Sequence, residues 1–367
     1  MVSGHAYPWD VLGDPAFAGR AAEAVDTVTL AATYHSVRAA TPLHPSRRVV
    51  DARYAALYRP IRAAAWAGRP LRAAGPDWMT EKDPFGTAAS TLRAAGLAVN
   101  AWIVLTHNTR LGLEHPETAV VNCFGERYPY ALCPAHPEVR AYAATLAGEA
   151  VRDVAVDGIS LEACGQLGLV HLGHHEKTDG AWTAAEVRLL SVCCCASCRS
   201  GWQAAGLVSD EVVAGLRAGS VSDDVLAAVL ANRHANTDAL RSEVLAAVRE
   251  QAPGVPITFH ANPDPWATGP SPGLTPSVAA DVDALLVPAW PTTDASAELV
   301  RRAAATGLPV DAYVTVLPPA EADAVPGHVA RLRAAGAARI SLYHLGLGGP
   351  DRQKLLRIAA AAAAADG

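Results

Sequence analysis

The sequence predicts a (β/α)₈ barrel, an α/β fold spanning residues 1–367, with a helical, cysteine-containing insertion after the fourth strand. Three observations carry this expectation. Apolar, β-branched runs alternate with alanine-rich segments of helical character, the order a parallel sheet with crossover helices requires. The runs are continuous in Val, Ile and Leu rather than alternating, as in strands covered on both faces. No glycine-rich phosphate loop follows the run Thr29-Leu-Ala-Ala-Thr-Tyr-His35, so a doubly wound dinucleotide fold loses support.

Seven strands are clear: Thr27–Tyr34, Ala98–Leu105, Val156–Leu161, Pro256–His260, Ala284–Val287, Val310–Leu317 and Arg339–His344. The remaining one, second in order, is weak and is expected near Val49 or Leu71. Several strands follow a helix stop, as in Arg93-Ala-Ala-Gly-Leu-Ala-Val99 and Arg333-Ala-Ala-Gly-Ala-Ala-Arg339, where glycine relieves left-handed backbone strain. Between the fourth and fifth strands lie about 90 residues, more than one crossover helix needs. The insertion, residues 163–250, holds a cysteine cluster and then two or three helices within Asp210–Gln251. In Thr237–Glu250 the spacing puts Leu240, Val244, Leu245 and Val248 on one helical face. Asp351–Ala365 reads as the helix that closes the barrel.

Hydrophobic residues make up 51% of the chain and charged residues 18%, enough apolar surface for a large core. A net charge of −6 offers no broad positive field for a phosphate backbone, which argues against nucleic acid. Met1 to Asp10 lacks a secretory pattern, and no long apolar stretch suggests a membrane span, so the expected location is cytoplasmic. In that reducing setting Cys193, Cys194, Cys195 and Cys198 point to a metal rather than disulfides. A homo-oligomer is left open.

The sharpest catalytic signal is Val156-Asp-Gly-Ile-Ser-Leu-Glu162, a buried strand ending in a carboxylate. Side chains at strand carboxyl ends of a barrel converge on a shared mouth, and a partly desolvated glutamate there can protonate a leaving oxygen. Asp157, a strand length away, reads as structural. Cys193-x-Cys195-x-x-Cys198 can hold one tetrahedral zinc with a fourth ligand from elsewhere, for which Cys133 is the natural candidate. Four sulfurs leave no open position, so such a zinc is structural. The other strand ends supply Tyr34, His35, His107, Asn108, His260, Asn262, Trp266, Trp290, Tyr343 and His344, polar edges and flat rings suited to a carbohydrate. The run His174-His-Glu-Lys177 either adds polar groups to the mouth or is a solvated loop.

The stretch from Ala98 to about Trp202 resembles glycoside hydrolase-like TIM barrels, including family 42 β-galactosidases and related hypothetical glycosyl hydrolases. The resemblance rests on Asn100-Ala-Trp-Ile-Val-Leu105, Cys133-Pro-Ala-His-Pro-Glu-Val-Arg140, Val156–Glu162 and the later cysteine set. It implies a structural zinc on Cys133, Cys193, Cys195 and Cys198, and an acid/base role for Glu162. The pattern departs at the seventh strand, Val310-Asp-Ala-Tyr-Val-Thr-Val-Leu-Pro-Pro319, which ends without the nucleophilic carboxylate of retaining members. The expected second carboxylate is Asp264 or Glu176. Three readings follow: a glycosidase acting through Glu162, a non-catalytic carbohydrate-binding barrel, and a metal-dependent sugar isomerase or lyase using His35, His107, His260 and His344.

Overall fold

The computed structural model describes residues 1–171, 177–178 and 180–365. Its centre is a closed barrel of eight parallel strands: β1 Val2–Ala6, β2 Thr27–Tyr34, β3 Ala98–Val104, β4 Gly158–Glu162, β5 Ile257–His260, β6 Ala284–Pro288, β7 Val310–Thr315 and β8 Ala337–Tyr343. Each strand pairs with the next, and β1 joins β8 to β2, with Ser3 in register with both Ser341 and Thr27.

The strand expected near Val49 or Leu71 is therefore β1, at the amino terminus. Val49–Ala52 instead pairs antiparallel with Val37–Ala40 in a separate hairpin, and Leu71 is buried outside any strand. Val-Ser-Gly-His-Ala hides from an apolar-run criterion because it is short, half polar and interrupted by glycine. The glycine has a packing reason: a Cβ on Gly4 would lie 2.6 Å from Leu345 Cδ2. Because the missed strand comes first and no parallel strand of the barrel lies between β2 and β3, the third to eighth strands keep their predicted order.

The surrounding helices are α1 Phe17–Ala22, α2 Pro84–Ala94, α3 Pro137–Val151, α4 Ala184–Leu190, α5 Ala196–Ala204, α6 Ser209–Ala218, α7 Asp223–Gln251, α8 Asp294–Ala304, α9 Val325–Ala334 and α10 Pro350–Ala365. Four of them lie between β4 and β5. The long α7 packs along α3 and so does the work of the crossover helix. Leu240, Val244, Leu245 and Val248 are buried on it as their spacing predicts. Gly148 of α3 faces Ala247 of α7, where a Cβ would make ordinary van der Waals contact 3.5 Å from the Ala247 carbonyl oxygen. Arg241, fully buried, fastens α7 to the loop after β5 through Asp281 (2.8 Å), Thr275 (3.0 Å) and Ser277 (2.8 Å). Among the described residues no helix is long and apolar enough to cross a membrane.

Candidate functional site

Residues two apart on a strand share a face, so Ser160 and Glu162 of β4 project together, beside Trp102 of β3, which is in register with Ser160. The Trp102 indole Nε1–H donates to Glu162 Oε2 at 2.8 Å. His260, ending β5, brings Nδ1 to 3.6 Å from the same oxygen, while its Nε2 pairs with Ser160 Oγ at 2.9 Å. Glu162 is only 5% exposed. Among the described residues no arginine or lysine forms an ion pair with it. Loss of water pushes its carboxyl up to about 7, against the opposing pull of the indole hydrogen bond. Burial likewise pulls His260 down to about 3, leaving a neutral ring beside the acid.

Aromatic rings enclose this group. His5 of β1 meets Trp102 edge-on at 4.7 Å and lies 4.5 Å from Tyr313 of β7. Tyr34 packs edge-on against both Trp102 (4.7 Å) and Tyr7 (4.8 Å). Trp290 stacks on Tyr343 at 5.0 Å and, 39% exposed, stands at the rim. From Tyr34 a row of rings runs outward: His35 stacks on it at 4.2 Å, His107 on His35 at 4.1 Å, and His107 Nε2 meets His171 Nε2 at 3.1 Å. Burial pulls His35 down to about 4 and holds His107 well below the usual imidazole range, with His35 and His171 adding to the effect.

His344, just past β8, accepts the Gly346 N–H at Nδ1 (3.1 Å), which places its ring proton on Nε2. Its Nδ1 lies 3.8 Å from Asp10 Oδ2. Asp10 is a second buried carboxyl at this end of the barrel. It accepts the Tyr7 N–H at 2.8 Å, and burial pushes it up to about 7. A Cβ on Gly346 would stand 2.2 Å from its carboxyl carbon.

Other expected contacts are used elsewhere. Asn108 caps Thr109–Glu114: Oδ1 accepts the Leu111 N–H at 3.0 Å and Nδ2 donates to Tyr142 at 3.0 Å. Its amide is thus committed to a helix end rather than to a ligand. Asn262 and Asp264 shape a turn, accepting the N–H groups of Asp264 (2.9 Å) and Trp266 (3.0 Å). Asp264 lies 3.6 Å from Arg188, whose guanidinium also covers the Trp266 ring. Glu176 lies outside the described residues, as do His174 and His175. Asp157 accepts the Val99 N–H at 2.8 Å and pairs with Arg93, a structural role. Asp311 is tied to Arg339 at 2.6 Å, and β7 ends at Thr315 without a carboxylate.

The sequence reading assigned no role to His5, Tyr7, Asp10, Trp102, Ser160 or Tyr313. Three of the six, His5, Tyr7 and Asp10, went unseen because β1 did; the alternation in Gly4-His-Ala-Tyr-Pro-Trp-Asp10 was the available signal. Trp102, Ser160 and Tyr313 lie in strands legible from the sequence, where side chains two apart share a face.

Cys133, between β3 and β4, and Cys193, Cys195 and Cys198, between β4 and β5, are all buried, with their sulfurs within 4.8 Å of one another. Two separations are 3.5 Å (Cys133 to Cys198) and 3.8 Å (Cys133 to Cys195). Ligands about 2.3 Å from a tetrahedral zinc lie ~3.8 Å apart, so the four residues fit such an ion. Cys133 follows the hairpin strand Arg127–Leu132, Cys195 is the residue before α5, and Cys198 is in its first turn. Among the described residues no histidine, cysteine or carboxylate outside this set gathers into a metal-sized group, His35, His107, His260 and His344 included.

No protein-family profile matches the chain, and no curated protein does. Among solved structures it is similar to α-L-fucosidase isoenzyme 2 from Paenibacillus thiaminolyticus (TM-score 0.60, 16% identity, covering 94% of this chain and 45% of that one). It is similar to the catalytic domain of β-amylase from Paenibacillus polymyxa (TM-score 0.58, 11% identity, 99% and 98% covered). It is also similar to β-galactosidase from the psychrophilic Marinomonas ef1 (TM-score 0.58, 11% identity, 98% and 59% covered). The chain thus spans about half the length of the fucosidase and under two thirds of the galactosidase. At these identities the likeness is one of fold: this chain has the TIM barrel found in these glycoside hydrolases.

Proposed function

We propose that the protein is a glycoside hydrolase-like enzyme with Glu162 as its general acid/base. The observation that carries this is a fully desolvated carboxyl at the end of β4, held by one indole N–H and ringed by aromatic and neutral imidazole side chains. Such a carboxyl holds its proton near neutral pH and can deliver it to a glycosidic oxygen as the C–O bond breaks. Water then adds to the anomeric carbon, and the proton it gives up returns to a carboxylate. The second carboxylate comes from Asp264, Glu176 or Asp10, the last added by its burial at the same end of the barrel. Tyr34, Tyr343 and Trp290 provide faces on which a sugar ring stacks. The four-cysteine site holds a structural zinc that fixes the β4–β5 segment; when bound, the ion supplies cross-linking and no reactive position. The polar mouth favours a carbohydrate over nucleic acid or membrane, and we assign the chain to the cytoplasm on its thiol chemistry.

Replacing Glu162 with Gln should keep the fold and cut turnover of an aryl glycoside by about 10²–10⁴-fold. Unchanged turnover in E162Q would end the proposal. The absence of a carboxylate at the end of β7 favours a second reading, a carbohydrate-binding barrel without catalysis. Calorimetric sugar binding with no product across a glycoside panel would select it.

A further inference from the structure

Arg233 of α7 is buried and lines the same small cavity as two residues of the cysteine cluster. It borders, with Cys193, Cys198, Trp202, Asn232 and Trp266, a cavity of about 10 Å³, roughly the room for one water. It is 9% exposed. Its guanidinium donates to two backbone carbonyls in the loop after β5, those of Trp266 (3.2 Å) and Ala267. Among the described residues no carboxylate lies within ion-pair distance of it. Asp264, and the Cys198, Cys133 and Cys193 sulfurs when ionised, are the groups that favour its positive charge against burial. Asp264 is partly exposed and already shared with Arg188.

A buried cation without a counter-ion and a buried anion without one are each costly, and each is relieved by the other. Four thiolates around a divalent ion carry a net charge of −2. We infer that Arg233 is the counter-charge of the tetrathiolate metal centre and couples that centre to the loop after β5 through the Trp266 and Ala267 carbonyls. The inference rests on reading the four cysteines as a metal site. Arg233 does not ligate the ion: it lowers the cost of keeping four sulfurs deprotonated in an apolar setting. Surrounding groups of this kind are worth about 10–100-fold in metal affinity.

The test uses the full chain loaded with zinc, without substrate, so its outcome is independent of any glycosidase activity. Zinc affinity is read by chelator competition, and thiolate ligation by the charge-transfer absorption of the cobalt-substituted protein. R233M should weaken zinc binding by about 10–100-fold, while R233K, which keeps the charge, stays within a few-fold of the native chain. In a C198S background the site carries one negative charge fewer, so the penalty of R233M should shrink. A residue serving only to hold the two carbonyls would show the same penalty in both backgrounds. The inference is overturned if R233M holds zinc as tightly as the native chain, if R233K is as weak as R233M, or if the native chain binds no zinc. Should R233M not fold, R233Q replaces it in the same comparisons with the same expected outcomes.

Discussion

On folding, Glu162 gives up its water and receives one indole N–H in exchange, so its carboxyl rises from an ordinary 4.5 to about 7. The folded chain therefore keeps a proton that the unfolded chain releases between these values. Stability falls as pH rises through that window, with the penalty complete above pH 7. At about 1.4 kcal/mol per pH unit the full effect is about 3 kcal/mol. E162Q, which cannot ionise, should gain up to about that much over the native chain at pH 8 and little at pH 4.5, as read by urea unfolding at both values. A gain independent of pH would contradict the desolvation account. The same acid must be protonated to act, so turnover should fall as pH rises past about 7. W102F removes the hydrogen bond that stabilises the carboxylate, and the alkaline limb of its pH–rate profile should move upward. The sequence disclosed the position of Glu162 at a strand end; its indole and imidazole partners come from β3 and β5, which only the closed sheet brings together.

Between β4 and β5 the legible part was the periodic part. Thr237–Glu250 announced its buried face because its apolar residues recur at helical spacing along the contact with α3. The start of α7 at Asp223 was also written locally: Ser222 accepts the Val225 N–H at 3.4 Å, with Asp223 and Asp224 in the first turn. Leu240 is completely buried on this helix. L240A should cost about 2–5 kcal/mol in urea unfolding, since the cavity it leaves cannot collapse between two helices and a barrel. A cost below 1 kcal/mol would mean that the α3–α7 contact is looser than its burial implies. Asn108 shows the converse: a polar residue just past a strand reads as ligand-facing until the following helix takes both ends of its amide.

At the level of the whole molecule, β1 is the strand that turns a seven-stranded curved sheet into a barrel, by pairing with both β8 and β2. Deleting residues 2–6 would leave two unpaired edges and remove His5 from the centre of the ring cluster. The deletion should abolish cooperative unfolding and give aggregates on gel filtration; a native-like monomer would show that closure does not depend on β1. By itself the sequence determined the alternation of strand and helix, the strand-end glutamate and the four cysteines. Each of these is written in local order, spacing or residue type. The tertiary structure alone decided which strand closes the barrel, that Asp10 lies buried beside His344, and that Arg233 borders one cavity with Cys193 and Cys198. Those are pairings between segments far apart in the chain, and closure sets them by geometry that no local pattern encodes.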